Sequence, residues 1–145
     1  MQPHIEEAWR SLQLADRDIT VFHILSKEPE AHLSIVCFHA QQAVEKSLRA
    51  VLFSRRIEFR RIHDLTELTQ LLRQHGIETP VSDDLLGRLN PFAVTFRYDD
   101  MDIELLTRED AETWVTSVRR WAEDQVRLAA ESEQAPGADK VWPLF

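Results

Sequence analysis

Apolar residues recur every three to four positions through most of this chain, and that recurrence predicts helices rather than strands. Over residues 3 to 26 the repeat is Ile5, Ala8, Trp9, Leu12, Ala15, Ile19 and Phe22, with Ile24 and Leu25 closing the face. Pro3 suits the first turn of such a helix. After Glu28-Pro29-Glu30, where Pro29 can open a new helix, a second one extends to about residue 53. At about 100° per residue, Leu33, Val36, Cys37, Ala40, Val44, Leu48 and Val51 fall on one stripe. His39, Gln42, Lys46 and Arg49 share the opposite side at spacings that make them neighbours, and Gln41 and Glu45 flank them. Ile35, Phe38 and Leu52 fall outside the stripe, so this helix is expected to touch two surfaces: its own bundle, and a partner or a ligand.

Residues 54 to 62 form a basic connection in which Ile57, Phe59 and Ile62 alternate with polar residues. A short extended segment fits that alternation, although an isolated one is marginal. A third helix is predicted from Asp64, whose spacing to Glu67 is that of a capping box. Leu65, Leu68, Leu71 and Leu72 form its face, and Gly76 is its stop. Ser82-Asp83-Asp84 starts a fourth helix carrying Leu85, Leu86 and Leu89, which Pro91 breaks or kinks. Residues 92 to 98 fit either a continued helix or an extended run, and the acidic residues 99 to 106 read as a loop. Thr107 and Asp110 then cap a long last helix through Ala111, Trp114, Val115, Val118, Trp121, Ala122, Val126 and Ala129 to about residue 131. The expected fold is all-α: an up-and-down antiparallel bundle of four to five helices spanning residues 1 to 131. Residues 132 to 145 lack periodicity and contain Pro136-Gly137. They form a tail that is either disordered or docked on a groove through Val141, Trp142, Leu144 and Phe145.

Only three glycines and six prolines punctuate the chain, which agrees with few, long elements. The single cysteine, Cys37, excludes an internal disulfide and fits a reducing cytoplasm; its place on the core stripe reads as a small buried hydrophobe. No apolar run approaches the roughly 20 residues of a membrane span, and the first residues do not have a signal-peptide pattern, so a cytoplasmic location is expected. A net charge of −8 argues against non-specific nucleic-acid binding by the whole surface. The charge is segregated, however. Residues 46 to 63 hold Lys46, Arg49, Arg55, Arg56, Arg60 and Arg61 against Glu58 alone, whereas residues 99 to 112 hold seven acids against Arg108. An anionic ligand would prefer the first region.

The histidines lack metal-ligand spacing, the glycines are too scattered for a phosphate loop, and no nucleophile elbow occurs; no metal and no cofactor is implied. Arg56 and His63, with Arg60 and Arg61 between them, are better placed for chemistry. Arginine binds phosphate bidentately, and His63 could act as general acid or base in phosphodiester cleavage. The alternative is a solvated arginine loop with a histidine that merely precedes a cap. Phe59 could stack a base or anchor its loop in the core. Arg97-Tyr98 is the third candidate, against an Arg97 paired with the acids that follow and a packed Tyr98.

Three segments together resemble the HEPN family: Phe38-His39-Ala40-Gln41-Gln42-Ala43-Val44-Glu45-Lys46-Ser47-Leu48-Arg49-Ala50, then His63-Asp64-Leu65 before a leucine-rich helix, then Phe96-Arg97-Tyr98-Asp99. The resemblance covers about residues 5 to 130. It implies a four- or five-helix bundle, commonly a homodimer, for which the off-stripe Ile35 and Phe38 are the expected interface. It implies nucleotide or RNA binding as part of a toxin–antitoxin-type system with a nucleotidyltransferase partner. The residues that follow from it are Gln42, Glu45, Lys46, Arg49, His63, Arg97 and Tyr98, which Arg60 and Arg61 of the basic loop join. It implies, as an alternative, a metal-independent endoribonuclease built on an Arg-x(4–6)-His motif. No histidine follows Arg88 or Arg97, because the last one is His75. Arg56 and His63 fit the spacing, but between the second and third helices rather than where the motif usually sits. A non-catalytic dimerisation module is the remaining alternative.

Overall fold

The computed structural model describes residues 1–93 and 106–134. Helices α1 (Pro3–Ser26), α2 (Leu33–Ser54) and α5 (Arg108–Gln134) are long; α3 (Leu65–Gln74) and α4 (Asp83–Gly87) are short, and a single 3-10 turn spans Asn90–Ala93. No strand occurs among the described residues, and the basic connection after α2 is irregular. The fold is all-α.

Side-chain caps and contacts from distant residues together set the helix boundaries. α2 starts at Leu33, four residues beyond Pro29, because the His32 side chain accepts from the Ser34 amide while residues 28 to 31 turn. That turn is held by Arg108, whose guanidinium donates to the carbonyls of Leu25, Ser26, Glu28 and Ala31. These are carbonyls that the end of α1 and its loop would otherwise leave to water. Asp64 caps α3 by accepting from Thr66 N, but Glu67 turns away from the capping box to pair with Arg60 at 3.0 Å. Asn90 takes its place, accepting from Leu65 N and donating to Asp64 Oδ1. Gly76, at φ +77°, ends the α3 turn in the left-handed region that costs glycine little. Thr107 and Asp110 do complete a capping box, each side chain accepting from the other's amide at 3.1 Å.

α1 runs antiparallel to α2 and to α5. Asp18 meets His39 while Ser11 Oγ donates to the Lys46 carbonyl, and Arg119 grips the Asp16 carboxylate from α5. α2 is sandwiched between them, and this explains where the one-stripe description of it falls short. Leu52, off the stripe, is fully buried, together with Ala43, Ala50 and Ser47. Small residues on the second face let a neighbouring backbone approach closely. Conversely Ile24, assigned to the α1 face, is 59% exposed, and Ile35 is 44% exposed. The expected face of α5 is buried at Ala111, Trp114, Val115, Val118, Ala122, Val126 and Ala129, with Trp121 half-buried.

Candidate functional site

The polar side of α2 resolves into two buried carboxylate hubs. On α1, Asp18 is 9% exposed and receives both Lys46 Nζ and His39 Nδ1, the latter at 3.0 Å. On α2 itself, Glu45 is 1% exposed. Its Oε1 accepts from His63 Nδ1 at 2.8 Å and Gln41 Nε2 at 3.2 Å, and its Oε2 pairs with Arg49 at 3.2 Å. Gln41 also donates to the His63 carbonyl, Arg49 to the Ile62 carbonyl, and Gln42 to Gln41 Oε1. The spacing on α2 explains the arrangement. Gln41, Glu45 and Arg49 sit four apart on one line of the helix, so one carboxylate meets a donor on either side. The result ties the basic connection to the middle of α2. Buried polar groups of this kind are tolerated because they are paired.

Phe59 lies edge-on to Phe53 at 5.2 Å, and the Arg49 guanidinium sits 5.9 Å from its ring centre. It anchors the loop. That packing, with half-buried Ile57, leaves a cleft of about 660 Å³ between α1, the end of α2 and the connection. Leu14, Phe53, Ile57 and Phe59 supply its apolar lining; Arg10, Lys46, Arg49, Arg56 and Arg61 supply positive charge, and Glu7 and Glu58 oppose it. A volume of this size falls in the range that holds a drug-sized ligand, about 300–1,000 Å³.

The five cations are not equivalent. Lys46 is bound to Asp18, Arg49 to Glu45 and Arg10 to Glu7 at 3.1 Å. Arg56, in the left-handed region at φ +56°, meets only the His4 ring among the described residues, with Nε 3.3 Å from Nδ1. Arg61 has no hydrogen-bond or ion-pair partner among the described residues, and both arginines are exposed. The Arg49 Nε is buried without a hydrogen-bond partner. Net attraction for an anion therefore centres on Arg56 and Arg61, with Arg49 behind them. The sequence singled out Lys46, Arg49, Arg56 and Arg61 of this lining, but not Arg10, Leu14 or His4, which α1 brings in from far along the chain. The capacity of α1 to reach the basic connection follows from its antiparallel packing and has no local signature.

Of the other candidate residues, Arg60 faces Glu67 outside the cleft. His63 turns to Glu45 and Arg56 to His4, so the two join separate networks. Arg97, Tyr98 and the tail from residue 135 lie outside the described residues. No group of three or more His, Cys, Asp or Glu side chains suited to a metal occurs among the described residues, and no helix there is long and apolar enough to cross a membrane.

These features define a small all-α domain with a basic, partly apolar cleft against its central helix. The HEPN domain family model matches residues 2–127, and the chain belongs to that family. Membership fits a generic nucleotide- or RNA-related or toxin–antitoxin role, and HEPN domains often dimerise. No curated protein and no solved structure matches the chain.

Proposed function

We propose that the cleft binds the phosphate of a nucleotide or of RNA. The observation that carries this reading is the pair of cations, Arg56 and Arg61, that line a partly apolar cleft with no carboxylate bound to them among the described residues. Charge-assisted hydrogen bonds to phosphate supply the attraction, and the apolar lining suits a base or ribose. Calorimetry with ATP, GTP and a short RNA tests it. Loss of either arginine to alanine is expected to weaken binding by about 1 kcal/mol or more, roughly fivefold or above. Lys46→Ala is expected to act mainly on stability, because its charge is already spent on Asp18. Absence of binding by the wild type would refute the reading. The chain would act within a toxin–antitoxin-type system beside a nucleotidyltransferase, which co-purification with the product of the adjacent gene tests.

The exposed Ile24 and Ile35, at the neighbouring ends of α1 and α2, support a homodimer contact that includes Phe38. Ile35→Glu or Phe38→Glu would then halve the mass measured in solution. A second functional reading, metal-independent RNA cleavage, is favoured by one feature. His63 Nδ1 lies 2.8 Å from Oε1 of buried Glu45, which orients the ring and leaves Nε2 without a partner among the described residues on a side chain 59% exposed. RNA cleavage in EDTA that is lost in His63→Ala would support it; equal activity in wild type, Arg56→Ala and His63→Ala would exclude this pair.

A further inference from the structure

Helices α2 and α3 end in the same way. After α2 the Arg56 amide donates to the Phe53 carbonyl at 3.1 Å, and the Ile57 amide to the Leu52 carbonyl at 3.0 Å. After α3 the Gly76 amide donates to the Arg73 carbonyl at 2.9 Å, and the Ile77 amide to the Leu72 carbonyl at 3.0 Å. Each pair is the 5→2 and 6→1 combination of a Schellman motif, which puts the residue past the cap in the left-handed region and favours glycine there. α3 has Gly76 at that position, at φ +77°, whereas α2 has Arg56 at φ +56°. A residue with a Cβ is less stable in this region than glycine, and such residues cluster where their side chains are used.

The Arg56 side chain has a built seat. Its Nε lies 3.3 Å from His4 Nδ1 and 3.4 Å from His4 Nε2. Glu133, in the last turn of α5, takes Nε2, and the His4 side chain is only 14% exposed. A carboxylate only accepts and Nε–H only donates, so a neutral ring with its proton on Nε2 serves both partners and leaves the Nδ1 lone pair to Arg56. The two terminal nitrogens of Arg56 have no partner among the described residues. Together they form a fork that matches two oxygens of a phosphate.

We propose that His4 is a positioning residue of the anion site: fixed by Glu133, it holds Arg56 by Nε and leaves that fork free for the ligand. Arginine stands at a glycine position for this purpose, at the expense of stability. Preorganisation raises affinity because less side-chain freedom is lost on binding. The role of His4 rests on the reading of the cleft as a phosphate site. It makes the start of α1 and the ends of α2 and α5 meet at one ligand contact.

Calorimetry with ATP on the full chain and its variants tests the proposal. His4→Ala should weaken binding about threefold to tenfold, the effect of losing one hydrogen bond. Glu133→Ala should act in the same direction, and wild-type affinity there would overturn the part given to Glu133. In an Arg56→Ala background His4→Ala should have no further effect, since His4 acts through Arg56. A loss as large there as in the wild type would mark a merely structural histidine and overturn the proposal. His4→Gln, whose amide can accept from Arg56 and donate to Glu133, should return affinity to within about twofold of wild type. Wild-type binding by His4→Ala, or no recovery in His4→Gln, would also overturn it. Arg56→Gly should bind as poorly as Arg56→Ala yet melt about 2–4 °C higher; equal melting would overturn the claim that arginine stands there at the expense of stability. Absence of binding by the wild type is a separate failure, which removes the phosphate reading itself and the role of His4 with it.

Discussion

Replacing Glu45 with alanine should be among the most damaging single changes on the polar side of α2. The carboxylate is 1% exposed and meets Arg49, His63 and Gln41. Deleting one member of a buried ion pair typically costs about 3–5 kcal/mol, because the other charge is left uncompensated. Arg49 keeps its 3.0 Å bond to the Ile62 carbonyl and is 19% exposed, so water can partly solvate it. The expectation therefore sits at the lower end, about 3 kcal/mol. For a chain of this size that is a fall in melting temperature of roughly 6–12 °C. His63→Ala removes the same hydrogen bond from its exposed side and should cost no more than about 1 kcal/mol. Urea unfolding of the two variants, with the slope checked for constancy, measures the difference. Limited proteolysis should also cut residues 55 to 62 faster in Glu45→Ala, since the loop loses its tie to α2. If Glu45→Ala lies within about 0.5 kcal/mol of wild type, as an ordinary surface change does, the hub does not hold the loop and the reasoning fails.

Arg108→Ala frees the carbonyls of Leu25, Ser26, Glu28 and Ala31 and should destabilise by about 2–3 kcal/mol, measured by the same unfolding curves, because hydrogen bonds to a charged donor are worth about 1.5–3 kcal/mol. Asp64→Ala removes the α3 cap and should cost about 1 kcal/mol. The Thr66 side chain, foremost, holds the Asp64 carboxyl below its ordinary 3.8, and Arg73 does the same for Asp83. The unfolded chain therefore takes up these protons first, so their stabilisation is present above about pH 4 and is lost as pH falls below it. Asp64→Ala should flatten that acid limb of a stability–pH curve. Burial pushes the Cys37 thiol up to about 12, against the opposing charge of Arg108. Alkylation near pH 8.5 should consequently be nearly four orders of magnitude slower in the native chain than in urea, tracking the unfolded fraction expected at about 5 kcal/mol. Between about pH 9 and 12 the unfolded thiol ionises while the folded one keeps its proton, so this group's contribution to stability declines as pH rises.

Helix existence was legible in the sequence wherever the apolar repeat ran for several turns, as in α1 and α5, and where caps were explicit, as at Asp64, Ser82 and Thr107. The errors occurred where long-range contacts overrode local signals. Pro29 fits a helix start, but Arg108, from the far end of the chain, holds residues 28 to 31 as a turn. Glu67 has capping spacing, yet Arg60 claims it and Asn90 supplies the second bond. A single apolar stripe also describes α2 poorly, since a central helix buries two faces, and Leu52 belongs to the second. At the site, the Gln41–Glu45–Arg49 spacing was visible, but not the direction of those side chains. Depth of burial makes Glu45 a structural anchor, and Arg56 and Arg61 are the cleft cations without a carboxylate partner among the described residues. Sequence spacing reports neighbours on one helix; it does not report which cations have already met a carboxylate.

The most direct test of the central claim is an ATP titration of the isotope-labelled chain at low salt, following backbone amides by NMR. The account predicts saturable shifts concentrated at Arg10, Leu14, Arg49 and residues 56 to 61, weakening with added salt as phosphate contacts require. Shifts confined to Ile24, Ile35 and Phe38, or none at millimolar ATP, would contradict it.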